Sequence, residues 1–155
     1  MNPTPILSVL LADEPAAHER LANVLRRRAR GGASVSLATG EEAGLVRATV
    51  VLEGSRKEAE ACRLQVEKMV DVVEATLLDD YLGAQLVVLR LTGFGRPAEA
   101  LAALERVGAR LLRHEEGEIV AQLGDRPERV EAALDGLRAL GRLTTLRSGL
   151  VAMAV

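Results

Sequence analysis

The chain opens on an almost unbroken apolar run, Pro5 to Leu11. It passes at once into a stretch where Ala17, Leu21, Val24 and Leu25 recur at helical spacing and Glu19, Arg20, Arg26 and Arg27 fill other positions. The first pattern predicts a strand buried within a sheet, the second an amphipathic helix that ends near Gly31 and Gly32. The segments ASVSLATG and GLVRATVVLEG alternate or cluster β-branched residues on either side of the turn GEEAG, Gly40 to Gly44, and read as a hairpin. Ser55 to Glu58 has the form of a capping box opening a second helix, whose apolar face is Ala59, Cys62, Val66 and Met69. VDVVEATL, Val70 to Leu77, is then a fourth strand, and the order is βαββαβ.

The plan repeats. AQLVVLRLTG, from Ala84, reads as a strand, followed by a helix presenting Leu101, Leu104 and Val107. ARLLRHE and EIVAQLG form a hairpin about Gly117. Asp125 to Glu128 has the form of a second capping box, here with proline in the first turn, ahead of the apolar face Val130, Ala133, Leu134 and Leu137. RLTTLR and LVAMAV close the chain as strands, and DDYLG, Asp79 to Gly83, is the natural linker. The expected fold class is α+β: two ferredoxin-like βαββαβ domains, residues 4–79 and 80–155, each a four-stranded sheet with two helices on one face. LVRATVVL and VVLRL carry apolar residues at both parities, more than one buried face requires, which predicts association through open sheet faces or edges and at least a homodimer.

Composition narrows the function classes. An apolar fraction of 48% with 27% charge over 155 residues is that of a soluble globular chain. No apolar run approaches the roughly 18 residues of a membrane span. MNPTPIL lacks the basic region and long apolar core of a signal peptide, so a cytoplasmic location with no membrane partner is expected. A formal charge of −2 supplies no global basic field, and a single Phe and a single Tyr supply no stacking platform, so nucleic acid is not an expected partner. The run RRRAR, Arg26 to Arg30, fits a solvated helix end, where cations complement the dipole. One cysteine, Cys62, excludes an intrachain disulfide, and with His18 and His114 alone beside it no metal site is expected.

Candidate chemistry is sparse. There is no phosphate loop, nucleophile elbow or His-rich motif, and TGFGRP, Thr92 to Pro97, reads as a strand-to-helix turn. The joint ADEPA, Ala12 to Ala16, is where a site could exist: it sets a helix N-terminus beside a strand end, a seat for a carboxylate on the N–H groups of Ala16 and Ala17. Asp13 is equally a good N-cap, with Pro15 in the first turn. Both readings stand at this level.

ILSVLLADEPAAHERLANVLRRR, SVSLATG, GLVRATVVLEG, EKMVDVVEA and LRSGLVAMAV together, in order and over nearly the whole chain, resemble the regulatory (small) subunit of acetolactate synthase, also called acetohydroxyacid synthase. The resemblance implies an N-terminal ACT domain and a second ferredoxin-like domain. It also implies a non-catalytic protein, holding no cofactor, that binds the thiamine-diphosphate-dependent catalytic subunit, raises its activity and confers feedback inhibition by valine or another branched-chain amino acid. In that family the effector lies between two ACT domains, held by a loop Asn-Xaa-Pro/Ser-Gly after strand one and by an Asn at the end of helix one. Here the loop reads Asp13, Glu14, Pro15, Ala16, followed by Ala17, and the second Asn position falls on Gly31, followed by Gly32 and Ala33. These eight residues are the candidate effector site. Asp13 accepts but does not donate and repels a carboxylate, Ala16 adds a methyl group, and Gly31 removes a side-chain clamp, so a weakened valine response is expected. The alternative function is a free-standing ACT-type small-molecule sensor dimer serving another enzyme; a catalyst in its own right would need convergent titratable groups, which are absent from the pattern.

Overall fold

The computed structural model describes residues 4–40 and 42–155. Glu41 of the GEEAG turn and residues 1–3 of the MNPTPIL opening lie outside the described residues. The chain divides into two compact units, one taking the residues up to Leu82 together with Leu150–Val155, the other Gly83–Gly149.

In the first unit the elements are β1 (Ile6–Ala12), α1 (Pro15–Arg28), β2 (Ala33–Thr39), β3 (Leu45–Leu52), α2 (Arg56–Glu67) and β4 (Val72–Leu78), the expected βαββαβ order. The sheet runs β2-β3-β1-β4, all antiparallel. Leu7, Val9 and Leu11 stand level with Val50, Ala48 and Val46 of β3, and pack with Ala17, Leu21 and Leu25 of α1 and Ala59, Cys62 and Val66 of α2. The opposite parity of the same strands forms the other face of the sheet. It carries one row of Ser34, Val51, Ile6 and Leu78, a second of Ser36, Thr49, Ser8 and Thr76, and a third of Ala38, Arg47, Leu10 and Glu74.

That second face explains the apolar residues at both parities. Ile6 and Leu78 form a cluster with Leu150 and Ala152, joined by Val51 and Tyr81. Leu150 and Ala152 belong to β9 (Val151–Ala154) and its approach, a strap lying over one end of the face, where the Ala152 N–H donates to Thr49 Oγ1 at 3.4 Å. The surplus hydrophobicity of β1 is therefore satisfied in part by the chain's own residues 150 to 152 rather than by association.

The second unit repeats the arrangement with β5 (Tyr81–Thr92), α3 (Pro97–Arg106), β6 (Arg110–Glu115), β7 (Glu118–Asp125), α4 (Pro127–Arg138) and β8 (Arg142–Arg147). The strand order is β6-β7-β5-β8, and β9 pairs with β5, which begins within the first unit, so this sheet has five strands rather than the four expected. Val87, Leu89 and Leu91 with Ile119, Ala121 and Leu123 meet Ala100, Ala103 and Leu104 of α3 and Val130, Ala133, Leu134 and Leu137 of α4. The segment Asp79 to Gly83 is not a free linker: only Asp79 and Asp80 bend, and Tyr81 already lies in β5. TGFGRP is the β5-to-α3 turn, as expected, with Gly93 at φ +65°.

Proline decides where the helices begin. The ring forces the preceding residue out of the helical region, so the residue before each proline becomes the N-cap. Glu14 (φ −131°, ψ 139°), Arg96 (φ −103°, ψ 122°) and Arg126 (φ −59°, ψ 146°) hold that position, and none of them makes a side-chain cap. Two expectations are corrected by this rule. Asp13 does not cap α1, and Asp125 to Glu128 does not form a capping box: Asp125 ends β7, and its Oδ1 accepts from Arg126 N–H at 2.7 Å. Where no proline intervenes the box forms in full, with Glu58 N–H donating to Ser55 Oγ and Ser55 N–H to Glu58 Oε2. Ser55→Ala is expected to lower stability by about 1 kcal/mol in urea unfolding, with Asp125→Ala having a smaller effect; equal losses would show that the two helix starts are alike.

Candidate functional site

The ADEPA joint is anchored from two directions. Ala12 N–H donates to Asp71 O and Asp13 N–H to Gly44 O, each at 2.9 Å, tying the end of β1 to the α2–β4 turn and to the β2–β3 turn. Arg20, one turn into α1, donates from Nε to Asp71 Oδ2 at 2.6 Å and from Nη2 to Asp71 Oδ1 at 2.7 Å. The bidentate pair fixes α1 against the turn that also holds β1, so the strand-to-helix angle is set by one carboxylate. The Arg20 guanidinium in turn holds the Asp71 carboxyl below the ordinary aspartate value, chiefly through these hydrogen bonds.

Asp13, Glu14, Pro15 and Ala16 are exposed at the surface, whereas Ala17 is fully buried in the helix-facing core. The N–H groups of Ala17 and His18 both donate to Glu14 O, at 3.0 and 3.1 Å. Of the two backbone donors expected for a carboxylate, Ala17 is therefore already engaged within the helix. The Asp13 carboxylate lies 3.3 Å from His18 Nε2, an ion-pair distance without hydrogen-bond geometry. Among the described residues no group of three or more His, Cys, Asp and Glu side chains is placed to hold a metal.

Gly31, Gly32 and Ala33 lie beyond the other end of α1. The helix stops at Arg28, earlier than its glycines suggest, with Ala29 N–H donating to Leu25 O. Fourteen residues of helix separate the two halves of the candidate site, about 20 Å at 1.5 Å per residue. One chain thus does not bring Asp13 to Ala17 together with Gly31 to Ala33. Gly31 is held by close approach, since a Cβ there would meet Glu53 O at 2.7 Å, and Gly32 by its φ of +114°. The glycine pair is a packing solution against β3 as well as the loss of a clamp, and an asparagine at position 31 requires the Glu53 backbone to move.

The Arg20–Asp71 pair, which sets the joint, has no signal in local periodicity, because its members are 51 residues apart. A second group absent from the sequence expectations is the hydroxyl row across β2, β3, β1 and β4, where Arg47 Nη1 donates to Ser8 Oγ at 2.9 Å. The lone cation within LVRATVVL was its visible mark.

No family model matches the chain. It is 24% identical over 149 residues to a probable acetolactate synthase small subunit of Archaeoglobus fulgidus, spanning 95% of this chain and 94% of that protein. It is 27% identical over 154 residues to the acetolactate synthase isozyme 3 small subunit of Salmonella typhimurium, spanning 96% and 94%. Its fold is that of the crystal structure of an acetolactate synthase small subunit from Thermotoga maritima, with a TM-score of 0.85 over 98% of this chain and 97% of that one at 21% identity. The resemblance expected from the sequence, and the α+β ferredoxin-like fold class, are borne out.

The depressed Asp71 value fixes the sign of an acid effect. A carboxyl whose folded value lies below its unfolded value of about 3.9 contributes stability that is present above that value and is lost as pH falls through the folded one. Asp71→Asn is expected to lower the melting midpoint by roughly a few °C at neutral pH and to flatten its decline between about pH 5 and 2. Thermal melts across that range measure it, and an unchanged acid slope would remove the pair from the account.

Proposed function

We propose that this chain is a non-catalytic regulatory subunit of acetolactate synthase, working in the cytoplasm, which binds the catalytic subunit and raises its activity. The observation that carries the reading is the similarity to small subunits of that enzyme over nearly the whole length of both chains. A free-standing sensor for another enzyme is not favoured by those relatives. We further propose residues 4–79 as an ACT domain and residues 80–155 as a C-terminal ferredoxin-like domain, whose closing residues Leu150–Val155 belong to the first compact unit. No helix among the described residues is long and apolar enough to cross a membrane.

The homodimer forms through β2 in this reading. Of the outer strands β2, β4, β6 and β8, β8 carries Arg142 and Arg147 at its ends and the other three differ in how they are guarded. Along β4 the Arg63 Nη1 donates to Ala75 O at 3.3 Å, and the pairing with β1 is broken by a bulge. Along β6 the pairing with β7 is bulged at Leu112, and Arg110, Arg113, His114 and Glu115 line the strand. β2, by contrast, has no charge and no proline, pairs with β3 through seven residues without a bulge, and exposes Val35 and Leu37 at 43% and 46%. An unguarded, regular, partly apolar edge is one that a second strand completes. A two-fold partner added there also supplies what one chain lacks, because an effector site needing both ends of α1 takes Asp13, Glu14, Pro15, Ala16 and Ala17 from one copy and Gly31, Gly32 and Ala33 from the other.

Valine binds weakly in this reading. Asp13 faces His18, Ala17 N–H is engaged, and Gly31 offers no side chain. Each lost hydrogen bond to a charged ligand costs about 1.5–3 kcal/mol, so two weaken binding on the order of a hundredfold or more.

Purified with its cognate catalytic subunit, the chain is expected to raise acetolactate formation several-fold and to form none alone; an unchanged rate at saturation would overturn the reading. Calorimetry on the same preparations is expected to give no micromolar affinity for valine. Leu37→Lys is expected to convert the dimer seen by light scattering at micromolar concentration to monomer, and a dimer that persists would place the interface elsewhere.

A further inference from the structure

On the strength of the regulatory-subunit reading above, we infer that the strap-free end of the first sheet's outer face, centred on Arg47, receives an acidic side chain of the catalytic subunit. Of the lysines and arginines, all but Arg47 and Arg63 are exposed. Arg63 is neutralised twice over, by Glu60 at 2.8 Å and Glu67 at 3.1 Å. Arg47 has no carboxylate partner among the described residues, and its one hydrogen bond goes to a neutral oxygen, Ser8 Oγ. A half-buried guanidinium with a single neutral acceptor loses hydration without recovering it, an arrangement that a carboxylate completes.

The surroundings fit a macromolecular carboxylate. Arg47 stands in the row of Ala38, Leu10 and Glu74, next to the hydroxyl row of Ser36, Thr49, Ser8 and Thr76. The strap packs on the far end of the face, against Ile6, Val51 and Leu78, with Ala152 N–H reaching Thr49 in the middle row. Glu74, two strands from Arg47 in the same row, accepts from Thr76 Oγ1 at 3.3 Å and forms no ion pair with Arg47. Leu10 between them is a partly exposed apolar contact, and beside it the exposed Thr76 and partly exposed Ser36 offer hydroxyls to a partner, Ser8 and Thr49 being buried and already hydrogen-bonded.

The test compares full-length wild type, Arg47→Met and Arg47→Lys in pull-down, in activation of the purified catalytic subunit, and in urea unfolding. Arg47→Met is expected to weaken binding about tenfold or more, to leave the dimer intact, and to lower the unfolding midpoint only slightly, since the buried Ser8 hydroxyl loses its Arg47 donor while an unpaired charge is removed. Arg47→Lys is expected to recover part of the binding, and the wild-type affinity to fall with added salt. Wild-type binding by Arg47→Met would overturn the inference and leave the proposed function standing. So would a lowered midpoint that accounts for the lost binding, or a change in affinity for free amino acids with subunit binding intact. Failure of the wild type itself to bind the catalytic subunit would remove both.

Discussion

Two helices laid on a sheet shield one face of it, and the first unit is organised by what becomes of the other. In β1, Leu7, Val9 and Leu11 are committed to the helices, and Ile6, Ser8 and Leu10 are thereby committed to the opposite side. That side is treated differently along its length. At one end Leu150 and Ala152 bury Ile6 and Leu78; in the middle Ser8 and Thr49 are buried but hydrogen-bonded; at the other end Arg47 shares its row with Leu10. A buried hydroxyl is tolerated where it finds a partner, and both do. The outer face is thus graded from sealed to polar, and its polar end carries the proposed partner surface.

The second constraint is the rigidity of α1. Its start is set by Pro15 and by the Arg20–Asp71 pair, its end by Ala29 and the packing of Gly31 on Glu53. A helix between two such fixed points acts as a spacer, keeping the ADEPA joint and the Gly31 to Ala33 turn apart within one chain. A site that uses both would therefore be assembled between copies, and in the proposed dimer its integrity would be tied to the β2 edge.

Much of this was legible before the structure. The βαββαβ order, the faces of α2 and α4 and the Ser55 to Glu58 box follow from periodicity and capping chemistry that act over a few residues. The helix starts at Glu14 and Arg126 were misplaced by one residue because the acidic side chains of Asp13 and Asp125 look like caps; the steric demand of the following prolines overrides that preference. The Asp79 to Gly83 linker was overestimated because small and polar residues also occur at the start of a long strand. Asp71 with Arg20, and Leu150 with Ile6, are contacts between distant positions, and no local pattern announces them. Of the candidate site, the position of the joint was readable, but the occupation of Ala17 N–H was not, because it depends on where the first helical turn closes.

The strap gives the first unit an unusual place in the folding order. Its cluster joins Ile6 to Leu150 and Ala152, with the whole of the second unit lying between them along the chain. Topologically the second unit is an insertion. Closing such a loop as a flexible coil carries an entropy penalty that grows with its length. Prior folding of the inserted unit shortens the effective loop before the strap is placed. The apolar seal over Ile6 and Leu78 is then a contact of high sequence separation, expected late in folding. Unfolding of residues 83–149 would restore that flexible loop, and the strap's hold on the sheet beneath it would then bear the loop's closure entropy.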